Sequence, residues 1–573
     1  MQRLRPVLIF LIVAAHLGVT AVIARAGSAT WKASPADGLW SNPNNWTPAT
    51  VPQGSDAATF GVSSITNISE ALGFASLGAY QFNAGASAYT ITYYPSIPFQ
   101  INGGGVTNAS GILQSFGVPA SDQFRVPGNT IVSFLSGATA GNLTQWTVSG
   151  SASGSYDQAE LFFNDASSAG GATILVTPGG SDPGGEDGDG FGGVLCFEDS
   201  STAASASISI IGGAAGVNLG SPPSLFFTGT SKAASAIITG LGGTINGAYG
   251  AQIVFLNSAS AESSSITNNA GTASGAGGSQ TIFNNSAKAA NAVLIANSGP
   301  GLPGGIYFSD SATGDLASVK LFGGLLDISA HDSSGMTLGS LEGNGPVYLG
   351  GRRLTVGRNR LDTTFGGLIQ DGGAGGGSGG AFAKVGLGSL VLTNANTYTG
   401  DTSVNGGTLT VSNTGGTGTG TGPVQVNAGL LGGKGTIGGA VTVGADTIDR
   451  PHLAPASGTS TPATLTIQGL LTFQATGGYN WSVRAKGRRS QSDRVNANGV
   501  SIASGATFTL LPQVQGQLQM GTIFTVISNT STTPITGTFS DLPNGAIVTI
   551  GSNNLQASYS GGDGNDLTLT VVP

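Results

Sequence analysis

Six stretches of this 573-residue chain can be laid over one another: AELFFNDASSAGGATILV, GVLCFEDSSTAASASISI, PSLFFTGTSKAASAIITG, AQIVFLNSASAESSSITN, QTIFNNSAKAANAVLI and GGIYFSDSATGDLASVKL. Each carries a shared phenylalanine (Phe163, Phe197, Phe227, Phe255, Phe283 and Phe308), and successive positions differ by 34, 30, 28, 28 and 25 residues. Polar turn residues follow each Phe, then small Ala or Ser, then an Ile- or Val-rich strand. A unit this short cannot bury its own apolar face, so it must stack on copies of itself; the period suits a β-solenoid coil better than a propeller blade. Unequal spacing places insertions in the turns, the largest being the acidic, Gly-rich stretch from Pro178 to Gly190.

Composition supports one long repeat array rather than several globular domains. The chain has 97 Gly and only 8% charged residues, yet it lacks the three-residue period of collagen and is rich in short alternating Val, Ile, Phe and Thr runs that disordered chains lack. Cys196 is the only cysteine, so stability rests on stacking and hydrogen-bond ladders rather than on disulfides, and this thiol reads as a small buried hydrophobe. Net charge is −8, which disfavours nucleic acid as a partner.

The chain divides by composition. Arg3 and Arg5 precede an apolar run from Val7 to Val22, and Ala24-Arg25-Ala26 ends it, the three-part layout of a secretory signal over residues 1–26. No later stretch is apolar enough to span a membrane as a helix, so an extracellular, cell-surface or periplasmic location is expected. Residues 27–150 open with three of the five tryptophans, Trp31, Trp40 and Trp46, and form a cap with the first coils. The Phe-anchored repeats occupy 151–324, a differently written repeat 325–420, and further coils 421–573.

Within the fourth region the text from Lys384 to Val411 reads KVGLGSLVLTNANTYTGDTSVNGGTLTV. Period-2 runs alternate here with Asn and Gly corners. This stretch resembles the autotransporter-associated β-strand repeat: Lys384-Val385-Gly386-Leu387-Gly388, Asn396-Thr397-Tyr398-Thr399-Gly400 and Gly407-Thr408-Leu409-Thr410-Val411 match its three hallmark segments. The lines beginning at Gly339, Leu349 and Phe365, and the close from Tyr559 to Thr570, are similar to other segments of such proteins. The resemblance implies an exported passenger, with adhesion or envelope structure as its role. The sequence shows no C-terminal translocator barrel before Pro573, so release by a separate system and periplasmic retention are both compatible with it. The fold expected is all-β: a right-handed parallel β-helix with a Trp-rich N-terminal cap, on the order of twenty coils at ~4.8 Å each and thus on the order of 100 Å long.

Chemistry has few candidates, and no enzyme is expected. The three tryptophans either close the first coil, the reading preferred here, or offer a platform for sugar rings, which would make glycans the partner. Asp182, Glu186, Asp187 and Asp189 supply oxygen ligands suited to calcium but no EF-hand spacing. Asp563 and Asp566 sit in a single GGDGND that resembles a calcium nonapeptide, but with one copy and Thr568 in place of the large apolar residue a hairpin turn before the last strand is the preferred reading; no other cofactor is implied. Asp165, Asp199 and Asp310, each two residues after a ladder Phe, read as turn residues; aligned with Arg352, Arg353 or Arg358 they would instead suit a uronate-active enzyme. His331 and His452 stand outside any catalytic motif, and the basic run Arg484, Lys486, Arg488, Arg489 and Arg494 reads as a solvated loop.

Overall fold

A computed structural model describes residues 27–70, 75–94, 98–120, 128–153, 155, 157–180, 190–214, 221–332, 335–444, 449–457, 461–484, 490–511 and 516–573. These build a parallel β-helix; the only helical element among them is one 3-10 turn, Pro43–Asn45. In the first half, each coil contributes a strand that ends in the ladder Phe, a corner closed by single-residue bridges, and a second strand that ends in Ile, Val or a small residue. The first strands stack into a parallel sheet, here the phenylalanine sheet, and the second strands into a ladder facing it across the core.

Every coil lands in register on the one before. Phe163 pairs with Phe197, Phe197 with Phe227, Phe227 with Phe255 and onward to Phe308. Ring centroids lie 4.6–4.9 Å apart with planes 6–12° from parallel. That separation equals the strand spacing of a sheet, so the rings stack offset and add aromatic contact to each rung. Phe134, upstream of the six aligned lines, joins at 4.7 Å from Phe163.

The corner after each Phe is built from two left-handed residues. Positive φ occurs two residues on, at Asp165, Asp199, Gly229, Asn257, Asn285 and Asp310, and seven residues on, at Gly170, Ala204, Ala234, Glu262, Ala290 and Asp315. At the first of these, Asp and Asn tolerate the conformation and also bond along the axis. Asp165 Oδ2 accepts from the Ser136 N–H at 2.9 Å, Asp199 Oδ2 from the Asp165 N–H at 3.1 Å, and Asp310 Oδ2 from the Asn285 N–H at 2.9 Å. Asp165, Asp199 and Asp310 are thus corner residues that cap the backbone of the preceding coil. Between the two left-handed positions the buried side chains are small, Ala203, Ala233, Ala261 and Ala289 among them, which lets the chain reverse over a narrow edge.

This arc has a fixed length. The last residue of the second strand's inner row lies 13 positions after the Phe in six coils: Val176, Ile210, Gly240, Asn268, Ala296 and Leu321, all in register. The return to the next Phe takes 21, 17, 15, 15 and 12 residues. All the irregularity of the period therefore sits in the return loops.

At the N-terminal end Trp31, Trp40 and Trp46 are 2%, 0% and 0% exposed. They pack edge-on, with centroids 5.0 Å apart for Trp31 and Trp46 and 4.7 Å for Trp40 and Trp46, over Phe60 and Tyr80. The indole N–H groups donate to the carbonyls of Ile65, Pro52 and Trp40. They close the first coil.

From Met336 the corner widens into a third ladder, with strands such as Arg353–Val356 and Ala381–Lys384. Two ten-residue strands, Thr402–Val411 and Val424–Gly433, bend across this corner and belong to both neighbouring ladders, which fuses the ladders without closing a barrel. The coils expected through the C-terminus stop short of it. Strands Ile523–Asn529, Asp566–Val572, Asn553–Gly561 and Ile547–Ile550 run antiparallel, and the first of them continues a parallel face of the helix. A solenoid end exposes apolar cross-section and strand edges, and a meander laid along it covers both.

Two outcomes are expected. Phe227→Ala, which empties one rung between two stacked neighbours, should cost about 3–5 kcal/mol, read as lowered resistance to thermal unfolding. A two-residue insertion after Ala203, within the fixed arc, should lower the melting temperature strongly, whereas the same insertion after Ile245, in a return loop, should leave it within a few degrees.

Candidate functional site

The outer side of the phenylalanine sheet departs from what solvent exposure would select. In a half-buried strand the residue before the inward Phe points out and is usually polar. Here that row reads Phe162, Cys196, Phe226, Val254, Ile282 and Tyr307, each paired in register with the next, and Asp327 and Tyr348 continue it. Cys196 and Val254 are nearly buried although they face outward, while Phe162, Phe226, Ile282, Tyr307 and Tyr348 are half-buried. Polar side chains flank the row on both sides. Glu160, Gln252 and Gln280 stand two positions before it, and Asn164, Glu198 and Asn284 two positions after.

Three groups on this face have shifted acidities. Glu160 accepts from Asn129 Nδ2 at 2.7 Å, yet burial raises its pKa, with the charge of Glu198 adding to the effect. Glu198 accepts from Asn164 Nδ2 at 2.8 Å and lies 3.5 Å from the Cys196 sulfur. Burial first, then Glu198, pushes the Cys196 thiol well up, so at neutral pH it is a protonated thiol and not a nucleophile. Tyr307 is pushed up to about 12 by burial and by the Asp327 carboxylate beside it. The row is closed at Asp327, where the Gly-rich loop folds back: the Ala374 N–H donates to Asp327 Oδ2 at 2.8 Å and the Gly375 N–H to Ser329 Oγ at 2.7 Å. Shifted groups clustered beside apolar surface make this the candidate face of the described residues. The signal was present in sequence as the doublets LFF, LCF, IVF and IYF, which break strand alternation.

The residues singled out from sequence fall elsewhere. The buried Trp31, Trp40 and Trp46 leave no indole face open for a sugar ring. Asp182, Glu186, Asp187 and Asp189 lie outside the described residues. Asp563 and Asp566 occupy the hairpin joining the last two strands, and Asp566 Oδ1 accepts from the Asn529 N–H at 2.9 Å. Among the described residues no three His, Cys, Asp or Glu side chains gather as metal ligands. Arg353 pairs with Asp401 at 2.8 Å, away from the corner aspartates of the Phe repeats. His331 is wedged between the carbonyls of Ala312 and Asp332, and burial lowers the pKa of His452. Of the basic run, Lys486, Arg488 and Arg489 lie outside the described residues, while Arg484 and Arg494 begin or end strands.

The coil at Ala381–Val411 shows what its motif does. Phe382 pairs with Thr402 and Lys384 with Val404, then Ser389–Leu392 stacks on Thr408–Val411. Asn396 ties two neighbouring coils together, accepting from the Ile369 N–H at 2.8 Å and donating to the Gly418 carbonyl at 2.6 Å. Tyr398 is fully buried and its hydroxyl bonds Thr402 Oγ1 at 2.6 Å. A Cβ on Gly407, at φ 63°, would lie 2.3 Å from the Gly388 carbonyl oxygen, so the coils could not close there around a larger residue. Lys384 is 1% exposed and its ammonium faces the carbonyls of Val385 at 2.8 Å, Gly406 at 3.3 Å and Gly386 at 3.5 Å. Residues 382–411 match the family described as passenger-associated-transport-repeat. The chain carries that repeat. Among solved structures, the Haemophilus influenzae Hap adhesin is similar at 11% identity and a TM-score of 0.30, over 91% of this chain and 64% of that one. No curated protein matches the chain. Among the described residues no helix is long and apolar enough to cross a membrane.

Burial lowers the Lys384 pKa to about 8, opposed by the charge of Asp362 and by the three carbonyls. The unfolded chain, with its lysine near 10.5, therefore binds more protons between these values, and stability rises with pH across the interval. Thermal unfolding should show a gain of about 1–2 kcal/mol from pH 8 to pH 10, and Lys384→Met should flatten that rise.

Proposed function

We propose that this protein is an exported, non-catalytic β-solenoid that works at the cell surface or in the extracellular space, in adhesion or envelope structure. The observation that carries this reading is the passenger-type repeat at 382–411, seated in register within a continuous solenoid. The secretory layout of residues 1–26 agrees with it. So does the disposition of charge: the carboxylates that a uronate-active enzyme would need serve as backbone caps at Asp165, Asp199 and Asp310, and Arg353 is spent on Asp401. Net charge of −8 argues against a nucleic-acid partner.

Expression with the native leader in a Gram-negative host tests the reading. Mass spectrometry should find a mature chain beginning at Gly27, outside the cytoplasm, and protease added to intact cells should cleave it if it is displayed. A cytoplasmic chain retaining residues 1–26 would overturn export. Incubation of the purified chain with polygalacturonate should release no unsaturated uronate.

A further inference from the structure

The antiparallel meander that closes the C-terminal end leaves one strand edge of its own open. Its strands lie in the order Ile523–Asn529, Asp566–Val572, Asn553–Gly561 and Ile547–Ile550, and among the described residues no strand pairs with the far side of the last. The Ala557 N–H donates to the Ala546 carbonyl at 2.9 Å. Bonds alternate along an antiparallel pair, so Val548 and Ile550 also bond inward, and the N–H and C=O groups of Ile547 and Thr549 point out to the open edge.

Other sheet ends are covered. Trp46–Thr47 is two residues long and runs into Pro48. At Ile369–Gln370 the Ile369 N–H donates to Asn396 Oδ1 at 2.8 Å, at Thr436–Ile437 the Thr436 N–H donates to Asn413 Oδ1 at 2.9 Å, and at Thr507–Leu510 the Phe508 N–H donates to Asp541 Oδ1 at 2.8 Å. Ile547–Ile550 has no such cover. It also lacks the charge or proline that keeps an open edge from pairing: the sequence carries no charged residue from Leu542 to Gly562, and Pro543 lies before the strand.

From this geometry we infer that the Ile547–Ile550 edge pairs with the same edge of a second copy of this chain, antiparallel about a two-fold axis at Val548. In that register Ile547 of each copy stands opposite Thr549 of the other, and the two exchange both N–H···O bonds. The two Val548 residues meet between them as a non-hydrogen-bonded pair, about 4.5 Å apart at Cα. The edge is complementary to itself, and pairing uses it up, which gives a closed dimer and not a fibre. Val548 is half-buried against the end of the core, so its counterpart covers the remainder, and the 58% exposed Ile547 gains the Thr549 methyl as a cross-strand neighbour. A net charge of −8 makes copies repel, and the uncharged stretch is where they can approach. A contact of this size is weak, so the dimer forms in proportion to concentration. The inference goes beyond the surface role proposed above and does not depend on it.

Analytical ultracentrifugation of the purified mature chain, from low micromolar to submillimolar concentration, should show a reversible monomer–dimer equilibrium. Thr549→Pro removes an outward N–H that the fold does not use, so it should leave the melting temperature within a few degrees while weakening the dimer at least tenfold. Ile547→Lys, a change at an exposed position that sets two ammonium groups beside the axis, should do the same, and it decides the matter alone should Thr549→Pro unfold. Under mild oxidation Val548→Cys should give a covalent dimer, because the expected Cα separation suits a disulfide. Wild type, whose Cys196 is buried, and Gln556→Cys, one strand farther in, should stay monomeric under the same treatment. A monomer at every concentration, a dimer untouched by both edge variants, or cross-linking of Gln556→Cys as readily as Val548→Cys would overturn the assignment. Export is read separately from the mature N-terminus, so failure of the dimer and failure of the surface role are distinguishable.

Discussion

The structure depends on registry between coils. Each rung is held by parallel backbone bonds whose spacing is fixed near 4.8 Å, so whatever side chain occupies a position meets its counterpart at that distance along the whole axis. A phenylalanine is a good occupant because its ring can stack at that spacing, as the six centroid distances of 4.6–4.9 Å from Phe134 to Phe308 show. A lone buried charge is a poor one. The Asp and Asn corner column avoids that cost by offering each carboxylate or amide oxygen to a backbone N–H one coil away, which turns a repeated polar residue into a repeated hydrogen bond.

Registry also explains which parts of the fold were legible in sequence. The Phe column, the corner aspartates and the repeat coil at 382–411 were readable because stacking forces identical roles onto aligned positions. The opening tryptophans were readable as a cap because large aromatics are the means by which a terminal coil is sealed. The antiparallel close after Ile523 was not readable, since a single terminal meander has no copy to be aligned with. Its strands alternate like any coil, and only their pairing partners differ. The paired left-handed residues escaped notice for another reason: Ala204, Ala234 and Ala290 carry none of the usual Gly or Asn signal and are held at positive φ by the coils above and below.

The candidate face was written in the sequence but masked by the stronger signal beside it. In LFF or IYF the inward Phe draws attention, and the apolar residue before it passes as part of the same core. Only the alternating burial of each strand shows that Phe162, Phe226 and Tyr307 lie on the other side. Chemistry followed burial in the opposite direction for the residues first considered. The tryptophans went inside, the corner aspartates went to the backbone, and Glu160, Cys196 and Tyr307, whose acidities are shifted, lie on or beside the apolar outer row.

The division of each coil into a 13-residue arc and a return of 12 to 21 residues separates two demands on one chain. The arc runs from the ladder Phe through the narrow Ala-lined corner to the end of the second strand, where an added residue would turn every following side chain to the wrong face. The return loop carries no such constraint, because a loop pays little for added length. It also emerges beside the outer row of the phenylalanine sheet, since it delivers the chain to that sheet's next strand. A change of length in the returns can therefore be taken up beside that row without disturbing the stack beneath it.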